Sequence, residues 1–299
     1  MAPSITGHEQ KSAPARAENP GKRLPTISPS ELELLRLLAE KPLLSGEQIA
    51  AIRTSAAART WRLLSRLESC GLLICSLAPG QVNIPANRYY HPSEDAVRLL
   101  ARDEGMSPGR YVREHWLSAS RLTMLFNALD HTKASRQFFV DLAFGARKRH
   151  GEGLDVWLDE AAASRRYAWH GEVRLLRPDG YGVHRRNGQG LACFLEWDSG
   201  NSGIERHRRK LRAYHEYRAT LGNCAFPAVL AVTVQDRVRQ LNRVAVEVSN
   251  HRRDLRLPIL IAVRTELEAR GAFGCRWWDV RTQGSVTLES AREVWATTP

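Results

Sequence analysis

Apolar positions first fall into a helical rhythm at SPSELELLRLLAEKP, where Leu32, Leu34, Leu35, Leu37 and Leu38 form the apolar face and Ser28 or Ser30 can serve as N-cap. A short second helix is predicted over SGEQIAAIR, capped by Ser45, and a longer third over SAAARTWRLLSRLESCG, closed by Gly71. Two β-leaning runs follow, LLICSLAP and NRYYHPS, separated by a Pro/Gly-rich turn, which predicts a hairpin. Three helices and a hairpin make the pattern of a winged helix-turn-helix, whose third helix enters the major groove of DNA. The polar face of that helix carries Arg59, Thr60, Arg62, Ser65 and Arg66, with Trp61, Leu63, Leu64 and Leu67 turned inward. Arg88 on the hairpin adds a candidate phosphate contact.

SEDAVRLLARDEG reads as a helix leaving this unit, and a helical bridge extends from Pro108 to His150. His131, a lone histidine in an amphipathic helix of the bridge, is read as a packing or capping residue. From Leu154 the pattern turns to strands alternating with helices. LDVWLDE, VRLLRPDGYGVH and LACFLEWDSG predict three strands, and GIERHRRKLRAYHEYRATLG a basic helix. The continuous apolar runs PAVLAVTV and LPILIAVRT, separated by the helix QDRVRQLNRVAVEVSNHR, predict strands buried on both faces. The expected fold is α/β, α+β overall. Residues 1–27 form a disordered basic tail, 28–105 the winged helix, 106–150 the bridge and 151–299 a mixed-sheet α/β domain.

Charge narrows the partners. Lys and Arg number 44 against 32 Asp and Glu, a formal net charge of +12, which favours a polyanion. Most of the cations are Arg, whose planar fork matches phosphates and guanine edges, so the expected partner is DNA and not a membrane surface. The first residues lack the apolar core of a signal peptide, and no later apolar run is long enough to cross a bilayer. The five cysteines have no metal-ligand spacing, and their odd number argues against a disulfide framework, so a cytoplasmic location is expected.

The candidate chemistry lies at the strand ends. Asp179 follows Pro178, and Glu196 and Asp198 stand two apart, so their side chains leave the same face of a strand. Three carboxylates are then able to converge on Mg²⁺ or Mn²⁺, which prefer oxygen ligands and keep several waters. Phosphodiester cleavage uses such a centre, with the metal activating water and a nearby ammonium orienting it, and Lys210 is the candidate ammonium. Arg208 and Arg209 on the same helix are candidate DNA contacts. Taken singly, each residue also has a structural reading: Pro-Asp-Gly is a turn, Glu196 with Asp198 a solvated strand end, and Lys210 part of a basic run.

WLDE, RPDGYG, FLEWDSG and KLRAYHEY, preceded by the winged-helix pattern and DHTKASRQFFVDL, resemble the replication-relaxation proteins of plasmids and integrative elements, which look related to MobC-type relaxases. The resemblance covers most of the chain after Thr26 and implies a restriction-endonuclease-like core of the PD-(D/E)xK type, with Asp179 and Glu196 in the metal-binding places. Asp198 stands where the catalytic Lys of that pattern usually falls, so Lys210 is the candidate for a migrated ammonium. Glu160 is a further candidate carboxylate.

No histidine pair of the His-type relaxases occurs, and no phosphate-binding G-x-x-x-x-G-K-[ST] loop, dinucleotide fingerprint or nucleophile elbow is present. Two functions are expected from what remains. One is a metal-dependent nickase of a mobile element, working with other mobilisation or replication proteins. The other is a non-catalytic DNA-binding regulator or replication accessory factor that keeps a nuclease-like scaffold.

Overall fold

The computed structural model describes residues 26–53, 56–78, 80–147, 149–186, 188–222, 224–250 and 257–291. The basic tail expected over residues 1–27 therefore falls, up to residue 25, outside the described residues.

The N-terminal unit runs α1 (Pro29–Glu40), β1 (Leu44–Ser45), α2 (Gly46–Ile52), α3 (Ala57–Ser69), β2 (Leu73–Leu77), β3 (Arg88–Pro92) and α4 (Glu94–Asp103). The expected caps are present: Ser28 and Glu31 close a capping box on α1, Ser45 and Gln48 another on α2, and Gly71 after α3 takes a left-handed φ of 74°. The two-residue strand β1 carries no periodic signal and has no counterpart in the sequence pattern; it adds to the hairpin to give the order β1-β3-β2. Leu34, Leu35, Leu38, Ile49, Leu64 and Leu67 meet in one core. Trp61 and Leu63 pack only partly into it, whereas Thr60 is fully buried and not outward as expected. The inward row of α3 is 60, 64 and 67, the spacing a 3.6-residue repeat produces.

The predicted bridge is three helices, α5 (Pro108–Glu114), α6 (Ala119–Asn127) and α7 (Leu129–Arg147). The sheet domain continues with β4 (Glu152–Asp159), α8 (Glu160–Ala163), β5 (Arg165–Trp169), β6 (Glu172–Leu176), β7 (Gly180–Arg186), β8 (Gln189–Trp197), α9 (Ile204–Thr220), β9 (Ala228–Thr233), α10 (Val238–Asn250), β10 (Ile259–Val263), α11 (Arg264–Gly274), β11 (Trp277–Asp279) and β12 (Gly284–Val286). Seven of these strands form one mixed sheet in the order β12-β11-β10-β9-β8-β7-β4, in which β8, β9 and β10 run parallel. One core fills the face under α7 and α11, with Phe138, Leu195, Leu230 and Trp277; a second fills the face under α9 and α10, with Phe194, Tyr214, Leu241 and Ile261. The fold is therefore mixed α/β. Among the described residues, no helix is long and apolar enough to cross a membrane.

The pattern of VRLLRPDGYGVH predicts one strand, but the chain breaks at Pro178, which has no N–H to give a ladder. Its first half pairs instead with β5 as a separate hairpin laid on α9, where Tyr167 donates to Glu216 at 2.9 Å. Asp179 thus stands at the start of β7, not at the end of a strand. The glycines after it have a packing cause. A Cβ on Gly180 would lie 2.5 Å from the Phe139 ring and one on Gly182 2.8 Å from it, so α7 lies directly on the face of β7 that these two glycines leave bare.

Candidate nuclease-like site

Asp179, Glu196 and Lys210 come from three elements and meet at one point. The Asp179 N–H donates to Leu195 O at 2.9 Å, which ties the residue to the end of β8. Its Oδ2 accepts the Trp197 N–H at 2.6 Å, and its Oδ1 faces Lys210 Nζ at 3.2 Å. Glu196 leaves β8 on the α9 side, where it ion-pairs with Lys210 and accepts from the Tyr214 hydroxyl at 2.5 Å. Lys210, nearly two turns into α9, therefore bridges two carboxylates, with its side chain 26% exposed.

The charges respond to this packing. Burial pushes the Asp179 carboxyl up, but Lys210, His131 and the Trp197 N–H together hold it well below the usual carboxylate range. Burial raises Glu196; Lys210 draws it back and Asp179 pushes it up again, leaving it at about 7. Burial alone would lower Lys210, yet the two carboxylates raise it, so the ammonium stays charged. Tyr214 is raised well above its ordinary value by burial and by Glu196, so its hydroxyl remains a donor.

Asp198 lines the same cavity with different partners. Its oxygens accept from Thr233 Oγ1 at 2.7 Å and from the Gly200 N–H at 3.0 Å, and His207 Nε2 lies 3.4 Å away. Burial would raise its carboxyl, but His207, Thr233 and Gly200 bring it down to about 2. No ion pair joins it to Lys210 among the described residues, where no three His, Cys, Asp or Glu side chains group as a metal site. Asp179 and Glu196 still offer hard oxygen ligands, and two carboxylates with retained waters suffice for Mg²⁺. Glu160 heads α8 and lines an adjoining cavity that Asp179 also borders.

A cavity of about 310 Å³ opens beside Lys210. Exposed Ser199, Asn201 and Arg206 stand at its mouth, and Leu211, Ala231 and Leu241 line it further in. His131, which the sequence marks only as a packing residue, lies with Nε2 3.5 Å from Asp179 Oδ1 and borders the cavity. A lone histidine gives no signal; only its helix, packed across the RPDGYG strand, brings it there. Tyr214 was legible in principle, because it stands four residues after Lys210 and so on the same helix face.

The predicted DNA contacts fall into two groups. Arg59, Arg62 and Arg66 are exposed on α3 with Ser65, although Arg66 also pairs with Glu31 at 3.1 Å. Arg88 is held by Glu68 at 2.6 Å. On α9, Arg209 is exposed, whereas Arg208 is held by Glu205 and Glu247. Arg206 and Arg212 share that exposure and complete a row at three-residue spacing that composition alone does not single out.

The sequence profile of the replication-relaxation family matches residues 35–229, from α1 into β9, and so takes in Asp179, Glu196, Asp198 and Lys210. No curated protein and no solved structure is significantly similar to the chain.

Proposed function

The chain belongs to the replication-relaxation family, and from that premise we propose that it is a DNA-binding protein of a mobile element that nicks DNA at the Asp179–Glu196–Lys210 site. The observation that carries the reading is the convergence of these three side chains, from a strand start, a strand end and a helix, beside an open cavity with a basic mouth. The order α7-β4-β7-β8-α9-β9, with an antiparallel meander followed by a parallel strand, supports a PD-(D/E)xK-type core and a relationship to MobC-type relaxases. The arrangement of α1, α2 and α3 with the β1-β3-β2 sheet supports a winged helix that reads duplex DNA through α3.

Asp179 and Glu196 would hold Mg²⁺ or Mn²⁺, which would supply charge neutralisation and an acidified water. The protein's own residues do the positioning. The Trp197 N–H fixes Asp179, and Tyr214 fixes Glu196. Lys210, which bridges both carboxylates, would orient water or hold the phosphate. Other mobilisation or replication proteins would act with it.

Supercoiled plasmid incubated with Mg²⁺ or Mn²⁺ tests the reading. Open circles should form with metal and not with EDTA, and Asp179→Asn or Glu196→Gln should abolish them while DNA binding persists. Lys210→Met should slow turnover at saturating DNA and leave metal affinity in place. One observation favours a second reading: an ammonium already sits between the two carboxylates, and no three acidic, histidine or cysteine side chains group as a metal site among the described residues. No metal binding by titration and no cleavage of any DNA would make the chain a non-catalytic regulator or replication accessory factor.

A further inference from the structure

We infer that the cavity beside Lys210 takes one unstacked nucleotide, so that the strand handled at this site is single or locally unpaired; this rests on the site facing DNA, as proposed above. The mouth and the interior differ in chemistry. Arg206 and Lys210 at the rim suit a phosphate, and Ser199 and Asn201 beside them suit base edges or sugar oxygens. Behind them the walls are Leu211 from α9, Ala231 from β9 and Leu241 from α10. A cavity of about 310 Å³ is at the small end of ligand pockets, the scale of one nucleotide and far below that of a duplex.

A phosphodiester seated at Lys210 has a sugar and a base attached to it. In a duplex that base is stacked and paired inside the helix, so the apolar space behind the rim would stay unfilled. A base turned out of its stack presents an apolar face to Leu211 and Leu241 and keeps its polar edge toward the mouth, which is how enzymes that act on extruded bases hold them. Arg206 at the cavity, followed by Arg209 and Arg212 exposed at successive three-residue steps on α9, provides a basic row leading away from the cavity for the neighbouring phosphates of such a strand.

The test is binding by the full chain in EDTA, which separates it from cleavage. The probes are a fluorescent oligothymidylate, an abasic strand with the same number of phosphates, and a duplex. The parent should prefer oligothymidylate to the abasic strand by about tenfold, the scale of one buried or stacked base. Filling the cavity from two different walls, with Leu241→Trp and separately with Ala231→Leu, should bring oligothymidylate down to the abasic level and leave duplex affinity and the melting transition unchanged. Equal binding of both strands by the parent, or an undiminished preference in either filled variant, overturns the inference. Should a variant fail to fold, the parent decides alone: 2-aminopurine within the strand should brighten on binding as it leaves its stack, and unchanged emission overturns the inference. A protein that nicks without this preference loses the pocket and keeps the nickase; one that shows the preference without nicking does the reverse.

Discussion

Glu196→Gln separates the electrostatic cost of the site from its chemistry. Glu196 has an ordinary pKa of 4.5 and stands at about 7 in the folded protein, because burial and the neighbouring Asp179 outweigh Lys210 and Tyr214. A carboxyl raised on folding contributes stability that is fully present below 4.5 and is lost as the pH rises through about 7. Each tenfold change in proton affinity is about 1.4 kcal/mol, so carrying the ionised carboxylate at pH 8 costs the fold about 3 kcal/mol relative to acid conditions. The side chain is only 13% exposed, so solvent screens little of this. An amide escapes the cost, since it does not ionise and its oxygen still accepts from the Tyr214 hydroxyl. Urea unfolding in EDTA should therefore find variant and parent equally stable near pH 4.5, with the variant ahead by about 3 kcal/mol at pH 8 and m-values alike. The same variant should be inactive in nicking, the usual trade of stability against a functional site. A pH-independent loss of stability in Glu196→Gln would refute the reasoning, because the Lys210–Glu196 pair would then be net stabilising in its ionised form.

Replacing Arg59, Arg62 and Arg66 together with Ala should weaken duplex binding by about 1–3 kcal/mol for each base-reading side chain, checked by fluorescence anisotropy on specific and unrelated sequences. Unchanged affinity for every duplex would exclude α3 as the reader. The triple change Arg206→Ala, Arg209→Ala and Arg212→Ala should weaken all sequences alike and flatten the dependence of log K on log salt by about 0.9 for each duplex phosphate that is no longer neutralised. Gly180→Ala sets a methyl against the Phe139 ring at 2.5 Å and should cost about 1–3 kcal/mol in thermal or urea unfolding. Adding Phe139→Leu to that variant should return part of the loss, and an additive or worse double variant would show that the ring is not the obstacle.

What was legible in the sequence follows from the range of the interactions. Caps, periodic helices and long apolar strands are set within a few residues, which is why Ser45, Gly71 and the β9 and β10 runs read correctly. The two-residue β1, the β5–β6 hairpin and the break at Pro178 are settled by partners distant in sequence and carry little periodic signal. At the site, the two-residue spacing of Glu196 and Asp198 placed both near the end of β8 but could not show that Thr233 and Gly200 engage Asp198. Composition gave the basic character of α9 and not its orientation; Glu247, on a helix more than thirty residues later, holds Arg208 and leaves Arg206, Arg209 and Arg212 at the surface.

α7 joins the two halves of the proposed function. Its Arg136 is fully buried and donates to Pro42 O; burial lowers it to about 10 with Asp159 opposing that effect, so it stays charged. A buried guanidinium needs all its partners, and leaving it unpaired is expensive, so this junction favours one seating of the N-terminal unit on α7. Gln48 of α2 adds hydrogen bonds to Lys133 O and Gln137 Oε1, each at 3.1 Å, and Arg147 reaches Ala51 O at 2.8 Å. The same helix lays Phe139 on Gly180 and Gly182 and brings His131 to Asp179. Duplex held by α3 and a strand entering the cavity would thereby, on the proposed function, be related through one helix that packs against both units. On the proposed function, a fixed spacing between the sequence read and the bond cut follows from that geometry, and loosening the Arg136 junction should blur that spacing before it abolishes either binding or cleavage.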